Sequence, residues 1–536
     1  MSCSRRYRPS EVAWRAGVLA LVLGSGPPLE LRTQHAPAAR RLAWDDVAPI
    51  RPMLEKRGLT AASFAGYVDD LHRTHAARVR EGDLDHLVFY MLQSRRFTDV
   101  PPLEPALSAK RLVERLDDPA REAFLRNPQT ATAQVEPPVR LRAAALLDAF
   151  AAGSRDARLH YFRELVASAF PDAASRQTAL VREYLRVMRF VYEKEFVVPR
   201  SSGAPDAVAA LYRERGLSTD TAIEAGYLVS IGLGVARSLD PGFRVRRALV
   251  IGPGLDLAPR MAMLEEGPPE SYQPWAIVDE LVALRLSTLD GLELVAADIN
   301  PRVVSHLARA REAPPSLLLL TGVAQTGDVR LAADYRDYFA GLGRAISAPG
   351  SPPGPLDVLN GHLRKTVRVS PAAAQVLRPE ALDIVVERLQ GPAFDLIVAT
   401  NILPYFDDTE LALALANIAA MLAPGGVFLH NEPRPAIGDL AELLGMPFEQ
   451  SRHATIATVA GAAAPLYDSV WLHRKPPFHP HQRPARSAPA EVERRGPRPA
   501  RLQRVLRADR DPDEVASQPR RRARRHRRDG LRLSGG

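Results

Sequence analysis

A glycine-rich turn follows the first short apolar run in the second half of the chain. The run Ala248 to Ile251 leads directly into Gly252-Pro253-Gly254-Leu255-Asp256. Glycine has no Cβ, so the backbone of such a turn can approach a ligand closely, and in open α/β sheets ligands bind beyond the carboxyl ends of the strands. The turn therefore indicates a ligand-binding loop, although a purely structural bend has the same composition.

An acidic residue ends the next apolar run. Leu292 to Ala297 is followed by Asp298-Ile299-Asn300-Pro301. A carboxylate at a strand tip can accept hydrogen bonds from both hydroxyls of a ribose. An aspartate in this position is also typical of helix N-caps and turns. The function of Asp298 therefore has to be judged together with the other motifs.

A third run, Phe394 to Ala399, continues into Thr400-Asn401-Ile402-Leu403-Pro404-Tyr405-Phe406. A helical stretch to Met421 and a glycine-containing run, Leu422 to Leu429, follow it. About a dozen residues before Phe394, Asp383 stands in a further apolar run. The spacing leaves two interpretations of Asp383, a residue of the ligand-binding site and a solvent-facing turn acid.

The elements that position these residues are short apolar runs separated by helical stretches. Runs of this length, bounded by Gly, Pro, Asp or Asn, are typical of buried parallel strands. The predicted fold class is α/β, with a doubly wound, mostly parallel sheet. A less regular stretch, residues 314–380, is predicted to be an insertion beside the ligand cleft.

The ordered set of motifs resembles the class I S-adenosylmethionine-dependent methyltransferases over about 230 residues. The glycine turn is similar to their first motif, Asp298 to their ribose-binding acid, and Phe394 to Tyr405 to their fourth motif. Leu422 to Leu429 is similar to their "LxPGG" turn and strand. The chain also resembles chemotaxis-receptor glutamate methyltransferases and uncharacterised bacterial methyltransferase-like proteins with a "GPGLD" turn and a "FDLIVATNIL" strand.

This resemblance implies a sheet of seven strands and S-adenosyl-L-methionine as the cofactor, with Asp383 as a candidate for the residue near its adenine amino group. The residues it implies for cofactor binding are Gly252, Pro253, Gly254, Asp256, Asp298, Ile299, Asp383, Thr400 and Asn401. Asn401 and Tyr405 are assigned to the mouth where the methyl acceptor binds, as the candidate catalytic residues. A carboxylate acceptor needs no base, whereas a hydroxyl or amine would need one, for which Tyr405, Asp395 and Asn401 are candidates.

The chain departs from the family pattern in three places. Gly252 and Asp298 are 46 residues apart, more than the roughly 20 of a simple dinucleotide-binding unit, and a helix is predicted between them from Pro274 to Leu286. Thr400 replaces the arginine that precedes the asparagine in the receptor-methylating family, which argues against a receptor substrate. The segment from Asn401 to Tyr405 also differs in length from the motif of DNA amino-methyltransferases.

Residues 41–240 have helical periodicity, so we expect a helical domain before the methyltransferase domain at 241–475. The helices predicted in its later part are Leu141 to Phe150, Leu159 to Phe170, Leu180 to Phe196 and Thr221 to Leu239. His72 and His75 lie one turn apart on a helix, but without a third ligand or an adjacent acid we predict no metal site. The aromatic side chains of this region are predicted to be core residues.

The formal net charge of +9 is concentrated at one end of the chain. Lys475 to Gly536 contains 18 Lys and Arg against 7 Asp and Glu, so the rest of the chain is slightly acidic. This Arg/Pro-rich tail, 476–536, is predicted to be disordered and solubilising, and its lack of interleaved aromatics argues against nucleic acid as a partner. Cys3 is the only cysteine, which excludes an intramolecular disulfide.

Residues 1–40 contain arginines followed by a short apolar run, Ala16 to Leu23. The layout resembles a secretory signal peptide, and a disordered extension is the alternative. The run is far shorter than the roughly 20 residues of a membrane span, so no span is predicted. Since S-adenosylmethionine is made in the cytoplasm, we expect a cytoplasmic protein and leave cleavage open.

The sequence thus predicts a methyltransferase that acts on an unidentified acceptor, either a small molecule or a protein carboxylate. A non-catalytic S-adenosylmethionine-binding protein, in which the helical region and the insertion bind a partner, is the alternative. A nucleic-acid modifier that uses the basic tail is a third interpretation. The detection of methyl transfer would separate the first two.

Overall fold

The computed structural model describes residues 39–154, 156–198, 204–257, 268–462 and 464–477. The predictions for the N-terminal segment before residue 39 and for the tail after residue 477 lie outside the described residues. The described residues belong to one compact unit. The predicted domain boundary at residue 240 lies inside this unit and stays a prediction.

The described part before residue 240 is helical, as predicted, apart from one short strand, β1 (Ala39–Arg41). Its helices are α1 (Arg51–Lys56), α2 (Ala61–Gln93), α3 (Pro105–Glu114), α4 (Asp118–Arg126), α5 (Pro137–Ala152), α6 (Ala157–Ala169), α7 (Arg176–Tyr192), α8 (Ala204–Glu214) and α9 (Ile223–Leu239). Shorter helical turns are Trp44–Ile50, Pro128–Gln134, Ala173–Ser175 and the π-turn Glu193–Val197. The four helices predicted in its later part correspond to α5, α6, α7 and α9.

Helix α2 is 33 residues long, about 50 Å at 1.5 Å per residue. It begins after Thr60, whose hydroxyl accepts from the amide of Ser63 as an N-cap. Its first half buries Phe64 and Val68 in one hydrophobic core, and its last turns bury residues such as Leu87 in a second core. One helix therefore extends across both layers of the molecule.

The second half of the chain alternates strands and helices. Its strands are β2 (Arg247–Ile251), β3 (Glu293–Asp298), β4 (Ser316–Leu320), β5 (Val329–Leu331), β6 (Asp357–Leu359), β7 (His362–Arg368), β8 (Leu377–Ala381), β9 (Glu387–Leu389), β10 (Phe394–Ala399), β11 (Leu422–His430), β12 (Phe448–Val459) and β13 (Leu466–Arg474). Its helices are α10 (Gln273–Ala283), α11 (Pro301–Glu312), α12 (Ala333–Gly341), α13 (Pro371–Val376), α14 (Asp408–Met421) and α15 (Pro435–Leu443), with a 3-10 turn at Leu403–Tyr405.

The central sheet has the strand order β5-β12-β13-β11-β10-β2-β3-β8. The neighbours from β11 to β8 pair in parallel, whereas β13 is antiparallel to β11 and to β12, and β12 is antiparallel to β5. The sheet thus has eight strands among the described residues rather than the predicted seven. The additional strand is β5, which comes from the insertion and pairs with the end of β12.

Helices cover both faces of this sheet. Along β2, Ala248 and Val250 belong to a core that contains residues of α9, α10 and α11. Leu249 and Ile251 belong to the opposite core, which contains residues of α14, α15 and the start of α2. Because successive side chains of a strand point to opposite faces, the apolar run that predicted this strand is buried on both sides. The arrangement is doubly wound.

The insertion forms a separate antiparallel sheet of β4, β7 and β6. The predicted bounds 314–380 are wrong at their C-terminal end, because β8 (Leu377–Ala381) is a strand of the central sheet. Its sequence has no apolar run, since Arg378, Pro379 and Glu380 follow Leu377. Proline is tolerated here because β8 is an edge strand, whose only neighbour among the described strands is β3.

None of the helices in the described part of the chain has the length and hydropathy needed to cross a membrane.

Candidate cofactor site

Three of the predicted motifs meet at one edge of the central sheet. Strands β10, β2 and β3 are adjacent and parallel, so their carboxyl ends lie side by side. The loops that leave them begin at Thr400, Gly252 and Ile299. The amide of Gly252 donates to the carbonyl oxygen of Ala297 across 2.8 Å, which joins the start of the glycine turn to the end of β3. The structure therefore brings the glycine turn, the acidic strand tip and the fourth motif together.

A pocket of about 610 Å³, measured with its open mouth, lies at this edge. The residues implied by the resemblance that line it are Gly252, Gly254, Asp298, Ile299, Asp383 and Tyr405. The helical region contributes a second set of lining residues, namely His75, Val79, Leu217, Ser218 and Thr219. The pocket is thus closed by the helical region on one side and by the sheet loops on the other.

Asp298 lies at the tip of β3 and is 4% exposed. Its carboxylate accepts from the backbone amides of Asn300, at 2.8 Å, and Gly254, at 3.4 Å. Burial raises the pKa of Asp298 to about 7, although these two hydrogen bonds act in the opposite direction. A ligand that donates hydrogen bonds to this carboxylate would stabilise its charged form.

The loop after β3 is held in place by a buried side chain of α2. Asp83 is fully buried and accepts from Asn300 Nδ2 at 2.9 Å, from Arg302 Nη1 at 2.6 Å and from the hydroxyl of Tyr161 at 3.0 Å. Asn300 is also the N-cap of α11. The helical region therefore determines the position of the loop that carries Asp298.

Asp383 lies in the turn after β8 and is 3% exposed, so the interpretation of this residue as a solvent-facing acid is wrong. Its Oδ2 lies 2.8 Å from His75 Nδ1, and the other ring nitrogen of His75 lies 3.0 Å from Glu410 Oε1. Burial alone would lower the pKa of His75, but the hydrogen bonds to the two carboxylates raise it to about 9. His75 is consequently protonated at neutral pH.

Both pocket-lining glycines of the turn have positive φ angles, +66° at Gly252 and +75° at Gly254. A Cβ at Gly252 would lie 2.5 Å from Ile402 Cγ2, and a Cβ at Gly254 would overlap the carbonyl oxygen of Thr219 and the hydroxyl of Thr221. The turn thus needs glycine both for its backbone conformation and for close packing against other segments. The structural interpretation therefore applies to the turn, and its ligand-binding role stays a prediction.

Sequence reasoning missed the segment Leu217 to Thr219, which packs on the glycine turn. Thr219 accepts from the amide of Leu255 at 2.9 Å, and its hydroxyl donates to the carbonyl oxygen of Leu255 at 3.2 Å. On the other side, the amide of Leu217 donates to the carbonyl oxygen of Arg78 in α2 at 2.8 Å. The signal that could have revealed it is Gly82, a glycine in the interior of a long helix.

Thr400 and Asn401 lie beside the pocket and are not among its lining residues, and the same holds for Pro253 and Asp256. Asn401 is exposed, has a φ of +61° and exchanges two hydrogen bonds with Asn431, at 2.9 and 2.7 Å. The hydroxyl of Thr400 is buried and accepts from the side chain of a glutamine at the start of α10. Both residues are therefore placed to shape the edge of the site.

The candidate bases differ in position and in acidity. Tyr405 lines the pocket, is 7% exposed and meets the ring of Tyr212 edge-on at 5.4 Å. Burial raises the pKa of Tyr405 to about 12. Asp395 lies at the amino end of β10 and accepts from the backbone amides of Arg246 and Arg247, at 2.8 and 3.0 Å. The interpretation of Asp395 as a base is therefore wrong, because it lies at the opposite edge of the sheet.

His72 and His75 both face the carboxylate of Asp383. Within the described residues, no group of three or more His, Cys, Asp or Glu side chains is arranged to hold a metal ion. The sequence analysis found no acid beside these histidines because Asp383 is more than three hundred residues away in sequence. The chemistry of this cluster is hydrogen bonding between an imidazole and carboxylates.

No protein-family model and no curated protein matches the chain. Among solved structures, it is similar to the N-methyltransferase NodS from Bradyrhizobium japonicum in complex with S-adenosyl-L-homocysteine, at 15% identity and a TM-score of 0.25, with coverage of 51% of this chain and 97% of that one. It is also similar to the CurJ carbon methyltransferase, at 15% identity and a TM-score of 0.26, with coverage of 80% of this chain and 99% of that one. A third similar structure is the magnesium protoporphyrin IX methyltransferase of Synechocystis with bound S-adenosylmethionine. The identity is 9% and the TM-score 0.24, with coverage of 47% of this chain and 81% of that one.

Because these TM-scores are low, the fold is assigned from the chain's own sheet order and loops. The central strands run in parallel with helices on both faces, and the glycine turn, Asp298 and the fourth motif leave adjacent strands at the same edge. This is the arrangement that the resemblance implied. The chain has a doubly wound α/β fold that resembles the class I S-adenosylmethionine-dependent methyltransferases in the order and position of its motifs.

Proposed function

We propose that the chain is a methyltransferase that binds S-adenosyl-L-methionine in the pocket beyond β2, β3 and β10. The observation that carries the proposal is the buried carboxylate of Asp298 in the pocket wall. An ionised carboxylate has about four acceptor sites. The hydrogen bonds from the backbone amides of Asn300 and Gly254 use two of these. The two hydroxyls of a ribose fit the remaining capacity.

The other lining residues fit the rest of the cofactor. Asp383 provides an acceptor for the adenine amino group, and Ile299 and Ile384 provide apolar surface in the pocket wall. Gly252 and Gly254 line the same pocket, so the backbone of their turn would contact the ribose and the methionine portion. Bound S-adenosyl-L-methionine would supply an electrophilic methyl group on a sulfonium. The chain's own task is then to orient the acceptor in line and to exclude water.

The candidate bases support an acceptor that needs no deprotonation. A phenol with a pKa of about 12, as in Tyr405, stays protonated at neutral pH. Asn401 has an amide side chain, which is not a base, and it is engaged with Asn431. We therefore propose that the acceptor is a carboxylate of a small molecule or a protein. Asn401 and Tyr405 would position this acceptor rather than remove a proton from it.

The proposal is tested in two steps with the full chain. Calorimetric titration with S-adenosyl-L-homocysteine measures cofactor binding, and Asp298→Ala serves as the site variant. Incubation with methyl-labelled S-adenosyl-L-methionine and fractionated lysate then identifies the labelled acceptor. Absence of binding by the wild-type chain would contradict the proposal. Binding without transfer to any fraction would favour a non-catalytic S-adenosylmethionine-binding protein.

A further inference from the structure

We infer that His75 of α2 is a positioning residue, which holds the Asp383 carboxylate in the orientation needed to accept a hydrogen bond from the cofactor's adenine amino group. The inference rests on the proposed function. It assigns to the helical region a part in recognising the base of the cofactor. His75 touches Asp383 and also lines the pocket itself.

The contacts of His75 leave its ring no freedom to rotate. The side chain is 1% exposed, and its two nitrogens lie 2.8 Å from Asp383 Oδ2 and 3.0 Å from Glu410 Oε1. Since each nitrogen faces a carboxylate oxygen, both nitrogens donate and the ring is an imidazolium. A charged donor makes a shorter and stronger hydrogen bond than a neutral one. The orientation of Asp383 is therefore determined by a charged contact.

Asp383 is held from its own turn as well. Its Oδ1 accepts from the amide of Val385 at 3.2 Å, and its own amide donates to Glu387 Oε2 at 2.9 Å. These contacts fix the turn and one carboxylate oxygen, while His75 fixes the other oxygen. Loss of the imidazolium would leave Asp383 Oδ2 without this partner and would allow the carboxylate to turn away from the pocket.

The titratable and charged groups around His75 come from three elements. His72 and Arg78 lie on α2, Asp383 on the turn after β8, and Glu410 on α14. Glu410 is itself held by the amide of Asp407, the N-cap residue of α14, at 2.8 Å. Hence His75 joins the adenine side of the pocket to the helix that follows the fourth motif.

A packing role and a positioning role of His75 have different consequences for base selectivity. S-inosylhomocysteine carries an oxygen where S-adenosylhomocysteine carries the amino group. An aspartate that accepts from the amino group would repel this oxygen, so the wild-type chain should bind S-adenosylhomocysteine at least about tenfold more tightly. If His75 only packs, its replacement lowers the affinity for both compounds equally.

The experiment titrates both compounds into the wild-type chain and into His75→Leu, Asp383→Asn and His160→Leu. His160 is a matched control, because it lies on α6 in an exposed pair with Glu164. We expect the affinity ratio to fall towards one in His75→Leu and Asp383→Asn and to stay at the wild-type value in His160→Leu. A wild-type ratio in folded His75→Leu would overturn the inference.

A second variant covers the case in which His75→Leu does not fold. Glu410→Gln keeps the contact between His75 and Asp383 but removes one of the two carboxylates that raise the pKa of His75. The preference for S-adenosylhomocysteine should then be lost at a lower pH than in the wild-type chain, and an unchanged pH profile would overturn the inference. A wild-type chain that binds neither compound contradicts the proposed function as well. If the wild-type chain prefers S-adenosylhomocysteine and the variants keep the same affinity ratio, only the role of His75 is contradicted.

Discussion

Gly82 in α2 lies against the carbonyl group of Leu217, so closely that a Cβ at Gly82 would overlap the carbonyl oxygen. The contact occurs where the segment before α9 crosses α2. The same segment then packs against the glycine turn. Gly216 is equally constrained, because its Cβ would overlap the amide nitrogen of Gly82. Two glycines therefore allow two backbones to meet and close one side of the pocket.

Replacement of Gly82 by alanine should destabilise the protein although alanine favours helices. Gly66 lies on the same helix with open space around its Cβ position, so Gly66→Ala should raise the free energy of unfolding by about 1 kcal/mol. Gly82→Ala should lower it by about 1–3 kcal/mol, because the segment at Leu217 has to move. Urea denaturation of both variants measures the difference. A higher free energy of unfolding in Gly82→Ala would show that the backbone at Leu217 has room for a Cβ.

Asp298→Ala should weaken the binding of S-adenosyl-L-homocysteine more than Asp383→Ala does. The first substitution removes the acceptor for two ribose hydroxyls, whereas the second removes the acceptor for one amino group. Hydrogen bonds to charged groups contribute about 1.5–3 kcal/mol, so Asp298→Ala should raise the dissociation constant about 10- to 150-fold. Calorimetric titration decides the order of the two effects, and wild-type affinity in Asp298→Ala would exclude this residue from the site.

Cofactor binding should strengthen as the pH rises through 7. Asp298 has a pKa of about 7 in the free protein, above its unfolded value, so the carboxyl group becomes charged only near neutral pH. The ribose hydroxyls donate to the charged form, and binding therefore releases a proton below pH 7. From pH 6 to pH 8 the affinity should increase about tenfold, in proportion to the ionised fraction. Asp298→Asn should abolish this dependence, which calorimetry in two buffers of different ionisation enthalpy can verify.

His75 should stabilise the fold at neutral pH and lose this effect in alkaline solution. Its pKa is raised from 6.5 to about 9, so its contribution is complete below pH 6.5 and is lost as the pH rises through 9. The shift corresponds to about 3 kcal/mol. We therefore expect the stability difference between the wild-type chain and His75→Gln to shrink by about this amount between pH 6.5 and pH 10. A constant difference in denaturant unfolding would show that His75 is neutral in the folded state.

Gly254→Ala should cost more stability than an alanine at a glycine that has only a positive φ angle. Gly445 has a φ of +78° and open space at its Cβ position, so Gly445→Ala reports the backbone strain alone, about 1–2 kcal/mol. Gly254→Ala adds the overlap with Thr219 and should therefore have the lower unfolding midpoint. Thermal unfolding with and without S-adenosyl-L-homocysteine also shows whether the ligand-induced shift disappears. Equal midpoints in the two variants would contradict the overlap.

The strands that are buried on both faces could be predicted from the sequence, because burial on both sides requires a continuous apolar run. The run Phe394 to Ala399 coincides with β10, and the runs at β2 and β3 begin and end within a residue or so of the strands. The edge strand β8 could not be predicted in this way. Only Leu377 of this strand is fully buried, and Arg378 and Glu380 are tolerated because their positions are half-buried.

The part of the site formed by the loops after the strands could also be predicted from the sequence. Motif residues that follow parallel strands converge at one edge wherever the sheet forms, so Gly254 and Asp298 could be placed together. The helical side depends on packing between segments that are distant in sequence. No local pattern around His75 or Asp83 indicates that their partners are Asp383 and Asn300.

The partners of His75 stand 308 and 335 residues later in the chain. During synthesis at about 5–20 residues per second, α2 therefore leaves the ribosome about 15 to 60 s before Asp383 does. Throughout that interval an imidazole destined for burial has neither of its carboxylates. Contacts of such long sequence separation are also slow to form. The buried contacts of His75 can consequently form only after the ribosome has translated Glu410, when β2, β3, β5, β8 and β10 of the central sheet have been made. An N-terminal fragment that ends before Asp383 therefore cannot complete this wall of the pocket.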